Sequence, residues 1–191
     1  MAYIGLRHPV FAPLKTEVDG SAPTYDAGVV IGKVQNCNVE FNRSDAKMHG
    51  DDVEIESDNS ITGGTIALGV DNLTDAVQTT MFDVSEGSGD GVYVEGGESS
   101  PYGGFGYMRV KQLRGVVSYV GYWVYKVKFS LGGEDASTKA ENVEFQGVTI
   151  NGSLAGVYPD STLKAKFREH KSFDTAAACI AWLDGKAGIT G

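Results

Sequence analysis

The dominant period along the chain is two. Cys37, Val39 and Phe41 are apolar and alternate with Asn36, Asn38, Glu40 and Asn42, the pattern of a strand with one buried and one wet face, and Val29 and Ile31 lead into it. In the next run Ile66, Leu68 and Val70 share one side, while Thr65, Ala67 and Gly69 leave only small side chains on the other, a face open to close approach. The strongest strand signal is Val116–Phe129, in which Tyr119, Gly121, Trp123, Tyr125, Val127 and Phe129 alternate with Val120, Tyr122, Val124, Lys126 and Lys128. Its first part is apolar on both faces, so it is predicted to lie centrally or under a second subunit. Arg114-Gly115 predicts a tight hairpin back to residues 104–113.

Val143 and Phe145 share a face and Val148, Ile150 and Leu154 carry the opposite phase, which predicts a bulge near Gln146-Gly147; Asn151-Gly152 reads alternatively as a turn. Leu163, Ala165 and Phe167 alternate with Lys164, Lys166 and Arg168, predicting a strand with a basic exposed face suited to an interface. Two helices stand out: one capped by Asp71 or Asn72 with Leu73, Ala76, Val77 and Met81 on one side, and one from Asp174 stopped by Gly185. Residues 12–27, 85–104 and 132–140 read as loops. The predicted class is mainly β, a sandwich or barrel with one or two flanking helices and a long projecting loop, in a single domain spanning residues 1–191.

Composition narrows the functions more than it names one. The 191 residues are 41% hydrophobic and 21% charged, a globular composition, and no apolar run reaches membrane-spanning length. Met1–Pro13 has neither a basic leader nor an apolar core, which predicts folding in the cytoplasm and leaves the sequons at Asn42, Asn72 and Asn151 uninformative. Cys37 and Cys179 are predicted to be free, buried thiols. The net charge of −9 is uneven: residues 1–100 hold 5 basic and 17 acidic side chains, residues 101–191 hold 11 and 8. Such a chain is not built to grip nucleic acid, because sequence-independent affinity comes from Lys and Arg neutralising phosphates.

Catalytic chemistry finds no motif. His8, His49 and His170 belong to no HExxH, nucleophile-elbow or CxxC arrangement, and no phosphate-binding GxxxxGK occurs. The stretch 86–91 imitates a calcium loop but starts with Glu86 and has Gly97 in place of the bidentate glutamate, so a plain loop is predicted. No cofactor, metal or catalytic residue is assigned, and the chain reads as a non-enzyme. The segment 45–60 is the exception to this blandness. Asp45, Asp51, Asp52, Glu54, Glu56 and Asp58 crowd into it with Lys47 as its one lysine or arginine, while Val53 and Ile55 alternate with the glutamates. A solvated acidic loop explains the charge, and a long hairpin that docks on a neighbour explains both charge and alternation.

The order of these pieces resembles the major tail tube proteins of long-tailed phages and of prophages in Gram-positive bacteria, of the phi13-like type. The resemblance runs from MAYIGLRHPVFAPL through VQNCNVEFNRSDAKMHGDD, GGTIALGVDNLTDAV and YGGFGYMRV, and is strongest in YVGYWVYKVKFSLGGEDASTKAENVEFQGVTINGSL. It weakens from Tyr158 onward, apart from the Ala-Trp-Leu helix around Trp182. It implies a sandwich subunit, six copies of which close into a ring, with rings stacking into a hollow virion tail tube assembled in the host cytoplasm. Implied partners are other copies, the tape-measure protein, the tail terminator, the distal tail protein and DNA that passes without specific binding. The loop Ser44–Ser60 would be the inter-ring contact. Asn36, Asn38, Glu40 and Asn42, joined by Glu144, are predicted to line an acidic channel. Alternatives are the tube protein of a secretion or contractile-tail apparatus, and a carbohydrate-binding sandwich using Trp123, Tyr125, Tyr102 and Tyr107 as a stacking platform.

Overall fold

A computed structural model of the chain describes residues 2–50, 53–82, 84–89, 91–95, 99–131 and 147–189. The chain runs β1 (Ala2–Thr16), β2 (Thr24–Tyr25), β3 (Val29–Val30), β4 (Val34–Arg43), β5 (Ala46–Gly50), β6 (Val53–Asp58), β7 (Ile61–Val70) and α1 (Asp75–Met81). It continues through β8 (Val84–Glu86), β9 (Tyr93–Glu95), β10 (Tyr102–Leu113), β11 (Val116–Leu131), β12 (Val148–Leu154), β13 (Arg168–Phe173) and α2 (Ala176–Ala187). The protein is mainly β and sandwich-like. Nine strands form one antiparallel hydrogen-bonded system in the order β2-β1-β10-β11-β12-β7-β4, with β13 added to β11 and β3 to β1.

The hairpin β10–β11 is the spine of this system. Arg114 and Gly115 sit at φ 49° and 82°, the left-handed pair that a two-residue turn requires. The strands then pair from Leu113↔Val116 to Tyr102↔Lys128. On its other side β11 divides its partners: Tyr119–Val124 bond β13, and Val127–Leu131 bond β12. The register slips between Gly103↔Val127 and Phe105↔Val124, so Tyr125 and Lys126 together oppose Gly104. This bulge corrects the expected phase. Val127 and Phe129 do not continue the Trp123 side; they turn into the same core as Val120, Tyr122 and Val124.

Two apolar layers follow. Between the leaves, Phe11, Ile66, Leu68, Val70, Phe105, Val124, Phe129 and Ile150 are buried with Val77 and Met81 of α1. Phe129 meets Phe105 and Phe11 edge-on, with ring centroids 5.4 and 5.9 Å away. On the opposite side of β1, β10 and β11, helix α2 lays Cys179, Leu183 and Ala187 over Val10, Ala12, Met108 and Trp123. Helix α2 begins at Thr175, whose hydroxyl accepts from the Ala178 N–H (3.3 Å), and ends at Gly188 in the left-handed region, φ 65°. Gly185 is therefore interior to the helix and not its stop. His8 adopts φ 53° at a bulge in β1, and its Nε2 lies 2.7 Å from Asp184 Oδ1, tying the strand to α2. Among the described residues no helix is long and apolar enough to cross a membrane.

Other expectations are corrected. The stretch 12–27 is not all loop, since β1 runs on to Thr16, and β8 pairs β9 inside the glycine-rich region. Asn151-Gly152 is no turn but lies within β12, and the residues expected to bulge before it, Val143–Gln146, lie outside the described residues. Helix α1 starts at Thr74; Asp71 instead accepts from the Lys33 N–H at 2.9 Å. Both cysteines are free, Cys179 buried and Cys37 half-buried.

Two glycine substitutions should separate packing from backbone entropy. A Cβ at Gly106 would lie 2.8 Å from Trp123 and 2.9 Å from Leu183 and Val10, whereas one at Gly185 meets nothing within 4 Å. Gly106→Ala is expected to lose about 1–3 kcal/mol from overpacking beneath α2, and Gly185→Ala to gain about 0.5–1 kcal/mol. Urea unfolding midpoints shifting in opposite directions would check both.

Candidate functional site

Strand β4 exposes Asn36, Asn38, Glu40 and Asn42 and half-buries Cys37, Val39 and Phe41 between them. The alternation predicted from the sequence is thus present, and the four polar residues share the outer face. Antiparallel pairing extends this face sideways. Asn38 pairs Ala67, Ala67 pairs Asn151, and Asn151 pairs Ser130, across β4, β7, β12 and β11. The next row runs Glu40, Thr65, Ser153, Lys128. Asn36 lies against Gly69, where a Cβ would come within 2.6 Å of its amide, and Thr149 continues that row. Because β10 pairs β11, Tyr102 stands beside Lys128 at the end of the second row, half-exposed, with the Lys128 ammonium 5.2 Å from its ring centroid.

The result is a concavity of about 790 Å³ floored by short side chains and edged by Ser99 and Ser100. Asn38 Nδ2 donates to Glu40 Oε1 at 2.8 Å, and Lys128 donates to Ser99 Oγ. Glu40 and Lys128 are the charged residues of these rows. Three strand spacings separate them, about 14 Å, beyond a Debye length of about 8–10 Å in physiological salt, so they do not pair. The described face is thus dense in amides and hydroxyls and carries one charge of each sign. Glu144, expected to add a second carboxylate, lies outside the described residues.

Sequence reasoning found the β4 residues and the small outward side chains of β7, but missed Asn151, Ser153, Lys128 and Ser130. The alternation of Asn151 and Ser153 with Ile150, Gly152 and Leu154 was a legible signal, obscured by the reading of Asn151-Gly152 as a turn.

The acidic segment forms a hairpin. Ser44 N–H donates to the Ser60 carbonyl, and β5 and β6 pair from Ala46↔Asp58 to Gly50↔Val53, bonded to no third strand among the described residues. It extends the β4–β7 pair, so Val53, Glu54, Ile55 and Glu56 lie on β6 with Asp58 at its end. Asp45 and Lys47 are exposed on the opposite limb. Asp51 and Asp52 lie outside the described residues.

The basic strand expected at 163–168 is not a strand. Leu163 sits at φ 50° and is 61% exposed, and before Arg168, which pairs Val124 as the first residue of β13, the one bridge is Lys166 to Val157. Lys166 is paired with Asp160, whose carboxyl its ammonium and the Thr162 hydroxyl hold down at about 2. Lys164 is exposed, whereas Arg168 begins β13 and packs over Tyr122 and Phe41, 4.9 and 5.1 Å from their centroids. The three therefore share no common face. Nor is there a platform of Trp123, Tyr125, Tyr102 and Tyr107, for Trp123 and Tyr107 are core residues at 0% and 4% exposure.

Tyr107 is pushed up to about 12 by burial, against the pull of Arg168. Among the described residues no group of three His, Cys, Asp or Glu side chains could hold a metal ion. No protein-family model matches the chain, and no curated protein matches it.

A face that is solvent-facing in the subunit tolerates new charge. Thr65→Lys and Asn151→Lys are each expected to leave the unfolding midpoint within about 0.5 kcal/mol of the parent, as for exposed sites without special contacts. A loss above that in thermal or urea unfolding would mean the face is covered.

Proposed function

We propose that this chain is a structural subunit whose copies close into rings, six to a ring, that stack into the hollow tail tube of a long-tailed phage. One observation carries the reading: a sheet face made mostly of short, uncharged, hydrogen-bonding side chains spans four strands and ends on an open edge. Strand β4 has no partner beyond β7, and residues 2–7 of β1 have none opposite β10 among the described residues. An unpaired edge is a template for another chain, and pairing edges around a closed ring removes the liability. The polar face then becomes the wall of a bore.

A neutral wall suits DNA passage. Binding to phosphates strengthens with each lysine or arginine that displaces a counterion, and the described face has one per subunit, Lys128. Side chains here are too short to interdigitate with a passing strand. The hairpin β5–β6 supplies the contact between rings, and the tape-measure, terminator and distal tail proteins are the partners along and at the ends of the tube.

Negative-stain microscopy of the concentrated protein tests the reading directly: rings or tubes support it, and a persistent monomer at every concentration, even beside a tail initiator complex, overturns it. Replacing residues 46–58 by Asn-Gly, which can close β4 onto β7, is expected to leave strand content unchanged by circular dichroism but to abolish stacking. Glu40→Lys is expected to preserve tubes while slowing DNA release in an ejection assay. Loss of tubes with an intact fold would place Glu40 in an interface instead of the bore.

A further inference from the structure

A second cavity, of about 480 Å³, opens between β1 and β4 at one end of the inter-leaf space. Two arginines line it. Arg109 comes from β10, inside a strand otherwise buried along Gly103–Val110, and stacks on Tyr3 at 3.7 Å from the ring centroid. Arg168 comes from β13, lies over Tyr122 and Phe41, and donates to Tyr107 Oη at 3.3 Å. The Tyr3 and Tyr122 hydroxyls, 3.1 Å apart, join the two stacks.

Among the described residues, what the cavity lacks is a counter-charge. The chain has 25 carboxylates to 16 lysines and arginines, yet neither guanidinium has a carboxylate within 4 Å among the described residues. Lys126 and Lys186, comparably shielded, are paired with Glu17 and Glu169. The rest of the lining carries no charge: Tyr3 and Tyr107, Gly5 and Leu6 of β1, and residues 35–39 of β4, Cys37 among them. Burial pushes the Cys37 thiol up to about 11, although both arginines pull it down, so it supplies no anion at neutral pH. Two like charges held in one partly desolvated space repel, and each guanidinium has five donors of which the aromatic stacks use none.

We propose that this cavity is a receptor for a single oxyanion group, a carboxylate or a phosphate, held between the Arg109 and Arg168 forks with the Tyr3 hydroxyl beside them. Planar forks match the paired oxygens of such groups, and stacking on rings fixes their orientation beforehand. The group arrives either as a free ion or as an acidic side chain of a second copy.

The test is a titration of the purified chain, ¹⁵N-labelled at arginine, with inorganic phosphate and with acetate, against sodium chloride at matched ionic strength. Saturable movement of the Arg109 and Arg168 Nε–H resonances beyond the chloride control, weakened at least tenfold in Arg109→Gln, supports a free-ion receptor. If the free anions move neither resonance but raising the protein concentration moves both, and Arg109→Gln weakens that association tenfold in sedimentation, the anion is a carboxylate of a second copy. Resonances indifferent to all three overturn the proposal. The parent chain alone decides that last outcome, so a variant that folds poorly does not blur it, and Arg168→Lys, which keeps the charge, serves as the milder substitution. Tube formation is scored separately, and its absence leaves the titration unaffected.

Discussion

The architecture turns on one extra residue in β11. With Tyr125 and Lys126 together opposite Gly104, the strand changes phase midway, and each half gives its apolar side to a different task. Before the bulge both sides are apolar: Val120, Tyr122 and Val124 enter the inter-leaf core, and Gly121 and Trp123 lie beneath α2. After it, Val127 and Phe129 enter the core and Lys128 and Ser130 point outward. Without the bulge Val127 and Phe129 would lie on the outer side and the lysine inside, a cost no helix there could offset. Glycine is required at the pivot, because a Cβ on Gly104 would stand 2.3 Å from the Trp123 ring. The same outer side is therefore roofed in one half and bare and polar in the other.

Most of this was legible in sequence wherever one face of a strand is wet. Alternation in β4 placed its polar and apolar residues correctly, and the spacing in 73–81 and 174–185 found both helices. The failures have two physical sources. Where both faces are apolar, as in β11, period two carries no phase information, and a bulge passes unseen. Where alternation arises without a continuous ladder, as at 163–167, it imitates a strand; there Asp160 gathers Thr162 and Lys166 into a turn, and Leu163 takes a left-handed conformation that keeps the ladder from starting earlier. The lateral rows of the polar face depend on which strands become neighbours, and β12 follows β7 by almost eighty residues. The convergence of Arg109 and Arg168 depends on the same long-range pairing, its local trace being a charged residue within the otherwise apolar stretch Gly103–Val110 of β10.

Charge is sorted by place more than by amount. Of the described acidic residues, Glu54, Glu56 and Asp58 sit on β6, while the four-strand face carries Glu40 and Lys128 well apart. Under the tube proposal, a bore that DNA passes and a contact between subunits make opposite demands, and they fall to different elements. Short amides and hydroxyls keep the first hydrated at little net potential.

The manner in which β5 and β6 grow out of β4 and β7 has a mechanical corollary. A load drawn along the hairpin pulls its parent pair lengthwise past β12, and resistance comes from the seven residue pairs between Val148↔Val70 and Leu154↔Gly64. Those bonds lie across the direction of pull, so they share the force in shear and do not open one after another. A hairpin rooted this way behaves as an anchor and not as a peel tab.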